Sequence, residues 1–290
     1  MVPPLAGSQR PARAGVVRQV MRLALAAALL ASALFAQAAD PVAFVADIRG
    51  NATIEGEGKL VTFLTELSPG TRLLLGSNAV ASITYASSGA EFTIKGPGEF
   101  LVTATEVKAE KGTAPGRRDV LALVDPAIVT RTARAATASL RMRGIAPRAD
   151  ATALQFPVET RVATLQPILR WRGELGDATV TVFDAGGREI WKGRARPEGT
   201  RPAIKLAPAT RYSWSVTTPT GTLGQAGFET LPAEAMARVE AARARARTFP
   251  ERVLHAMLLQ DLGAAQEARE AWGGLARERP DLLELAAFAR

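Results

Sequence analysis

Cysteine is absent from this chain of 290 residues, and histidine occurs only once, at His255. The absence of cysteine excludes disulfides, thiol catalysis, thiolate metal sites and attachment of a lipid to cysteine. The single histidine has no second imidazole or thiol with which to bind zinc or complete a catalytic triad. Glycine-rich phosphate loops and nucleophile elbows are also absent from the sequence. We therefore predict that the protein is not an enzyme and has no catalytic residue, metal ligand or cofactor.

Long hydrophobic runs are also scarce, and the clearest one, residues 23–35, is shorter than the roughly 20 residues that span a bilayer. It ends on Ala36-Gln37-Ala38, and it follows a stretch that contains Arg10, Arg13, Arg18 and Arg22. This order is typical of a secretory signal peptide. A core helix is the less favoured alternative, because residues 1–38 contain no acidic side chain. We predict a signal peptide over residues 1–38, cleaved near Ala38, and a periplasmic mature protein without a membrane span. Translation starts at either Met1 or Met21.

The net charge of the chain is +8, but the four arginines of the predicted signal peptide account for half of it. No concentrated basic stripe with interleaved aromatic residues is present, so we predict no nucleic-acid partner. The remaining basic excess is concentrated in residues 117–148, with seven arginines against Asp119 and Asp125. Arg141 and Arg143 would lie on one side of a strand. This face suits an anionic glycan, phospholipid headgroups or an acidic protein, although charges also protect sheet edges from unwanted pairing.

Residues 42–107 are predicted to form a small β domain. Short alternating runs are separated by turn signals such as Ser68-Pro69-Gly70 and Gly96-Pro97-Gly98. The segments 79–85 and 89–94 read as a hairpin, with Phe92 and Ile94 on one face.

The order of these parts resembles the FecR-type periplasmic domain. The matching segments are Val45 to Gly50, Leu67 to Leu75, the hairpin and Gly96-Pro97, with Ala138 to Gly144 similar to the closing strand of the family. Thr71 and Ser88 stand where the family usually has acidic residues. The resemblance implies a small noncatalytic β domain used for protein contacts.

A second β region follows, and it contains the spacing of a tyrosine corner in residues 206–212, which ends at Tyr212. Trp171, Tyr212 and Trp214 occupy apolar positions of alternating strands, so we predict that they are buried. Trp191 lies near a hairpin end and is the aromatic residue most suited to contact a ligand. The segment 154–231 resembles a fibronectin type III-like sandwich of exported bacterial proteins.

The sequence after Pro232 is rich in alanine and predicts helices over 233–247, 251–262 and 264–279, with a short one from Leu282. Thr248 is a plausible N-cap, and Gly263 suits the end of a helix. The segment 258–281 resembles one tetratricopeptide-type unit. A single unit is fewer than such arrays need, so we expect it to pack on the sandwich, on flanking helices or on a partner.

These interpretations combine into a mainly β protein with a helical C-terminus. The predicted domains are a signal peptide (1–38), a FecR-like β domain (39–149), a fibronectin type III-like sandwich (150–231) and a helical tail (232–290). Two functions fit: a noncatalytic periplasmic adaptor or scaffold for envelope proteins, and a module that binds cell-wall glycan or peptidoglycan. Exposed aromatic residues in a row would favour glycan binding. The candidate contact surface consists of Arg131, Arg134, Arg141, Arg143 and Trp191.

Overall fold

Two groups of β-sheets are followed by helices, so the predicted mainly β architecture with a helical C-terminus is confirmed. The structure is a computed structural model, and it describes residues 40–119, 128, 131–132, 153–173 and 176–289. The chain from Pro41 onward forms one compact unit.

The first group of sheets contains nine strands. They are β1 (Ala43–Arg49), β2 (Ala52–Ile54), β3 (Glu66–Leu67), β4 (Arg72–Leu75), β5 (Val80–Tyr85), β6 (Ala90–Lys95), β7 (Gly98–Val102), β8 (Val107–Lys111) and β9 (Gly116–Asp119). One sheet has the order β3-β1-β5-β6-β9 and the other β2-β4-β7-β8, with antiparallel pairing throughout. The predicted hairpin is the β5–β6 pair, and Phe92 and Ile94 are buried as expected.

The turn after β1 depends on Gly50. Its φ is +75°, and a Cβ atom there would lie 2.9 Å from the Cα of Ala79. Both the backbone conformation and the space require glycine, which lets the chain pass from β1 in one sheet into β2 in the other.

The second group contains seven strands. They are β10 (Leu154–Phe156), β11 (Thr160–Val162), β12 (Arg170–Trp171), β13 (Thr179–Phe183), β14 (Glu189–Arg194), β15 (Arg211–Thr218) and β16 (Gly221–Thr230). Five of them form a sheet of order β11-β16-β15-β13-β14, in which β11 is parallel to β16, while β10 and β12 form a two-stranded sheet. Both sheets contribute to one cluster of buried apolar residues.

The aromatic residues of this second core are buried as the alternation predicts. Trp171 and Tyr212 are each 8% exposed, and Trp214 is fully buried. The Tyr212 hydroxyl accepts a hydrogen bond of 2.9 Å from the backbone N–H of Ala207, five residues upstream, which is the bond expected of a tyrosine corner. The Trp214 indole N–H donates to the Pro157 carbonyl at 2.7 Å, so its polar atom is satisfied.

Four helices follow: α1 (Ala233–Arg245), α2 (Phe249–Asp261), α3 (Ala265–Glu278) and α4 (Leu285–Phe288). Thr248 is the N-cap of α2, and the Glu251 carboxylate accepts hydrogen bonds from the backbone N–H groups of Arg247 and Thr248. Gly263, with φ +78°, follows the end of α2. The predicted helices are therefore present, but α4 starts three residues later than expected.

The helices share a hydrophobic core with the first group of sheets. Phe63 makes edge contacts with Phe249 of α2 and Trp272 of α3, at ring-centroid distances of 6.4 and 6.5 Å. Trp272 also stacks on Phe288 of α4 at 4.6 Å. The buried aromatic surface of the helices is therefore covered by the first β region.

The start of α3 contacts the second group of sheets mainly through hydrogen bonds. The Gln266 side chain accepts from the Val158 N–H at 2.8 Å and donates to the Gln155 carbonyl at 2.7 Å. The Glu267 carboxylate accepts from the Ala163 N–H at 3.0 Å. The helical tail thus packs on both β regions. None of the described helices combines the length and the apolar character needed to cross a membrane.

Candidate functional site

His255 lies on α2 and faces α1. Its Nε2 atom is buried without a hydrogen-bond partner, and burial, together with the nearby Arg243 cation, lowers its pKa. Across the described ranges, no group of three or more histidine, aspartate or glutamate residues is placed to hold a metal ion. The Glu240 carboxylate acts in the opposite direction on the pKa of His255.

The basic segment is described at Arg117, Arg118 and Arg131, and each of these forms an ion pair within the chain. Arg118 bonds Glu91 at 2.7 Å and the Thr248 hydroxyl at 2.9 Å, while Arg117 pairs with Asp119. Arg131 contacts Asp261 at the end of α2 at 2.5 Å, with 61% of its side chain exposed. The candidate contact residues Arg134, Arg141 and Arg143 lie outside the described residues.

The aromatic rings are almost all buried. In the described part of the chain, only Phe183 and Trp191 are partly exposed. Trp191 pairs with the buried Val182 across β13 and β14, so the two side chains share the inner face of the sheet. Phe183 is next to Val182 and therefore points to the opposite face. The two partly exposed rings cannot form a row on one face.

Trp191 lines a groove of about 360 Å³ at the edge of the second group of sheets. Its indole lies over Gly193, two residues further along β14, and a Cβ atom at Gly193 would come within 2.4 Å of the ring. Ile168 and the segment 199–203 also line the groove, and Thr200 of this segment forms an isolated bridge with Leu169. Glycine at position 193 is what lets the indole lie flat along the strand.

The groove is rich in positive charge. Arg194, Arg196 and Arg201 line it together with Glu198. Arg194 pairs with Asp177 at 2.7 Å, and Arg201 donates to the Gln166 carbonyl at 2.6 Å. Among the described residues, neither Arg196 nor Arg201 has a carboxylate partner. This groove can therefore accept a ligand with apolar and anionic groups.

A smaller cleft of about 230 Å³ lies between the second group of sheets and α3. Glu267 lines it, and burial raises the pKa of this carboxyl to about 7, while the hydrogen bond from Ala163 acts in the opposite direction. Arg170 in the same cleft pairs with Glu270 and stacks over Phe156, with its guanidinium carbon 5.0 Å from the ring centre. The Glu267 carboxylate already accepts a hydrogen bond from the Ala163 N–H. We therefore interpret the cleft as part of the contact between α3 and the second group of sheets.

No protein-family model matches this chain. No curated protein matches it either. Among solved structures, the chain is similar to one titled "Biofilm associated protein - BSP domain", at 14% identity and a TM-score of 0.23. The alignment covers 63% of this chain and 31% of that one. A similarity at this level carries no argument about fold or function.

Trp191 was predicted from the sequence, whereas Gly193, Arg196 and Arg201 around it were not. An isolated glycine inside a strand signals a close approach of another group, so Gly193 carried a usable signal. The arginines come from the loop after β14, and nothing local to the sequence indicates that they share a groove with Ile168.

Proposed function

We propose that this protein is a noncatalytic, exported scaffold that mediates protein–protein contacts in the cell envelope. In this proposal, residues 39–149 are a FecR-type domain, residues 150–231 are a fibronectin type III-like sandwich, and residues 232–290 carry one tetratricopeptide-like unit. The partners are envelope proteins, and the protein is periplasmic after cleavage near Ala38.

The burial of the aromatic rings is the observation that carries this proposal. A glycan-binding face normally presents flat rings to solvent so that sugar faces can stack on them. Here the two partly exposed rings, Phe183 and Trp191, lie on opposite faces of one sheet. The described part of the surface has no aromatic platform, which favours contacts with proteins over contacts with polysaccharides.

The packing of the helical tail also supports a scaffold. Phe249 and Trp272 are buried against the first β region, and Gln266 and Glu267 bond the backbone of the second. Apolar packing on the first β region and hydrogen bonds to the second hold the described β regions in a fixed arrangement. A protein that positions its partners requires such an arrangement.

Binding of cell-wall glycan is kept as a second candidate because of one observation. Trp191 is partly exposed in a groove that also contains Thr200 and Arg201. A single ring with nearby polar groups is enough for a weak sugar subsite.

Two measurements distinguish these functions. In the first, the purified protein beginning at residue 39 is sedimented with isolated sacculi, alongside Trp191→Ala; the scaffold stays in the supernatant in both forms. In the second, a photo-crosslinking amino acid replaces Leu60, Leu223 or Leu283, which are exposed apolar residues, in the full chain in cells. We expect discrete protein adducts from at least one position.

Sedimentation with sacculi that is lost in Trp191→Ala, without protein adducts, would overturn the scaffold and support glycan binding. The proposed export has its own test. Sequencing the N-terminus of the protein recovered from the periplasm should give Ala39 as the first residue, and an intact N-terminus in the cytoplasm would contradict the proposal.

A further inference from the structure

Strand β14 is an edge strand, since it pairs only with β13 in its sheet. The backbone N–H of Ala195 donates to the Ala178 carbonyl, so residues alternating with Ala195, including Gly193, direct their backbone groups toward β13. Lys192 therefore directs its backbone groups away from the sheet, whereas a register shift between Val182 and Phe183 interrupts the alternation at Ile190. Within the described ranges, these outward groups have no backbone partner.

The next outward residue of β14, Arg194, does have a hydrogen-bond partner for its carbonyl. The Arg194 carbonyl accepts a hydrogen bond of 3.2 Å from the Thr200 hydroxyl, so the loop after β14 satisfies this end of the strand. The N–H and carbonyl of Lys192 and the N–H of Arg194 remain open to a short extended segment.

The groove beside Trp191 opens at this same edge. A strand added to β14 would place every second side chain on the face of Trp191 and Gly193, where the groove lies. Apolar contacts come from the indole and from Ile168, which is 37% exposed. The groove therefore supplies a pocket for one side chain of an added strand.

The charges around the edge define the partner. The segment 189–205 contains five basic residues against two acidic ones. Lys192 is exposed on the outer face of β14, while Arg196 and Arg201 flank the groove. Among the described residues, none of these three has a carboxylate partner, and positive charge on both sides of the edge is complementary to an acidic segment.

We propose that β14 binds an extended acidic peptide segment of a partner protein, which pairs with the backbone of Lys192 and the N–H of Arg194 and inserts an apolar side chain beside Trp191. This proposal rests on the proposed function, because it assigns a protein partner. Main-chain hydrogen bonds supply the affinity of such a complex, and the groove and the arginines supply its specificity.

The experiment uses the chain from residue 39 and a short labelled, acetylated peptide of alternating glutamate and valine, with fluorescence anisotropy as the readout. We expect the peptide to bind, and its counterpart with lysine in place of glutamate not to bind. Lys192→Pro removes the outward N–H that the peptide needs and should weaken binding about tenfold relative to Lys192→Ala, which removes the same charge.

A second pair of measurements does not depend on the folding of the proline variant. Amide hydrogen exchange of the wild-type chain should slow at Lys192 and Arg194 when the peptide is added. Gly193→Ala, which displaces the indole, should weaken binding, whereas Lys108→Ala, on the edge strand β8 of another sheet, should leave it unchanged.

Equal binding by Lys192→Pro and Lys192→Ala, or unchanged exchange at β14, would overturn the site. Binding of a soluble muropeptide beside Trp191, without binding of the acidic peptide, would overturn the proposed site in favour of a glycan site. Protein adducts in the photo-crosslinking experiment together with an inert β14 would refute this site alone and leave the scaffold function standing.

Discussion

Arg279 forms an ion pair with Asp47, which lies 232 positions earlier in the chain. The guanidinium also donates to the Ile48 carbonyl at 2.8 Å and pairs with Asp281, which raises the pKa of the arginine and lowers that of Asp281. Only 7% of the Arg279 side chain is exposed. The end of α3 is thereby fixed to β1.

Replacing Arg279 should destabilise the protein strongly. In Arg279→Met the partly buried Asp47 carboxylate loses its cation, and we expect the free energy of unfolding to fall by about 3 kcal/mol. Urea denaturation measures this loss. The matched control is Arg243→Met, whose pair with Glu240 is about two-thirds exposed on both sides. We expect the control to leave the free energy of unfolding nearly unchanged, because an exposed ion pair contributes little to stability.

A double variant tests the cause of that loss. Asp47→Asn combined with Arg279→Met removes both charges, so it should be more stable than Arg279→Met alone. If the double variant is the less stable of the two, the unpaired carboxylate is not what destabilises the single variant.

Glu267 should make stability depend on pH. Its pKa is about 7 in the folded protein, raised first by burial, against 4.5 when exposed. Below about pH 4.5 the carboxyl is protonated in both states. Between pH 4.5 and 7 the folded state retains the proton that the unfolded state releases, so the free energy of unfolding falls as the pH rises.

Glu267→Gln removes this dependence while keeping an acceptor for the Ala163 N–H. The variant should equal the wild type near pH 4 and exceed its stability by up to about 3 kcal/mol near pH 8, in urea denaturation at a series of pH values. The control Glu198→Gln, at an exposed residue, should follow the wild type at every pH. A constant difference between Glu267→Gln and wild type would contradict the assigned titration.

Gln266 should govern the docking of α3 on the second β region. Gln266→Ala leaves the Val158 N–H and the Gln155 carbonyl without their partner, and we expect a loss of about 1 to 3 kcal/mol. Gln225→Ala is the matched control, because its amide makes a single exposed hydrogen bond to Ser213. Amide exchange should accelerate at Val158 in the first variant only; unchanged exchange there would refute the role of Gln266.

Tyr212→Phe isolates the hydrogen bond of the tyrosine corner. The ring remains packed beside Phe228, with centroids 5.7 Å apart, while the Ala207 N–H loses its acceptor. We expect the free energy of unfolding to fall by about 1 kcal/mol, measured by urea denaturation with tryptophan fluorescence. A variant as stable as wild type would mean that water replaces the hydroxyl at Ala207.

The helices and the hairpins were predictable because their signals are local. Thr248 and Gly263 bound α2 at the positions where capping chemistry places them, and Phe92 and Ile94 follow the two-residue period of a buried strand face. The burial of Trp171, Tyr212 and Trp214 followed from the same alternation. Patterns of this kind are set by neighbours a few residues away.

The docking of the helical tail was not predictable to the same degree. Gln266 and Glu267 look like ordinary polar residues in the first turn of a helix, and their partners lie more than 100 residues earlier. Phe63 sits between short strands, and nothing near it in sequence indicates that Phe249 and Trp272 will cover it. Such contacts depend on how whole elements pack, which a local period does not encode.

The candidate site was predictable only at Trp191. Its position near a hairpin end marked it as the aromatic residue most suited to contact a ligand, and the structure places it in a groove. The position of β14 at the edge follows from the order of strands in the sheet, and local sequence patterns do not predict that order. Whether the surface binds a partner remains a prediction.

The covering of Phe63 by α2 and α3 has a consequence for the order of events during folding. The first β region is synthesised early, but it cannot complete its apolar core until residues 249–288 are available. Until then the first β region exposes hydrophobic surface, which promotes aggregation or chaperone binding. The first β region should therefore complete its folding only after the helical tail has been synthesised, some 200 residues later.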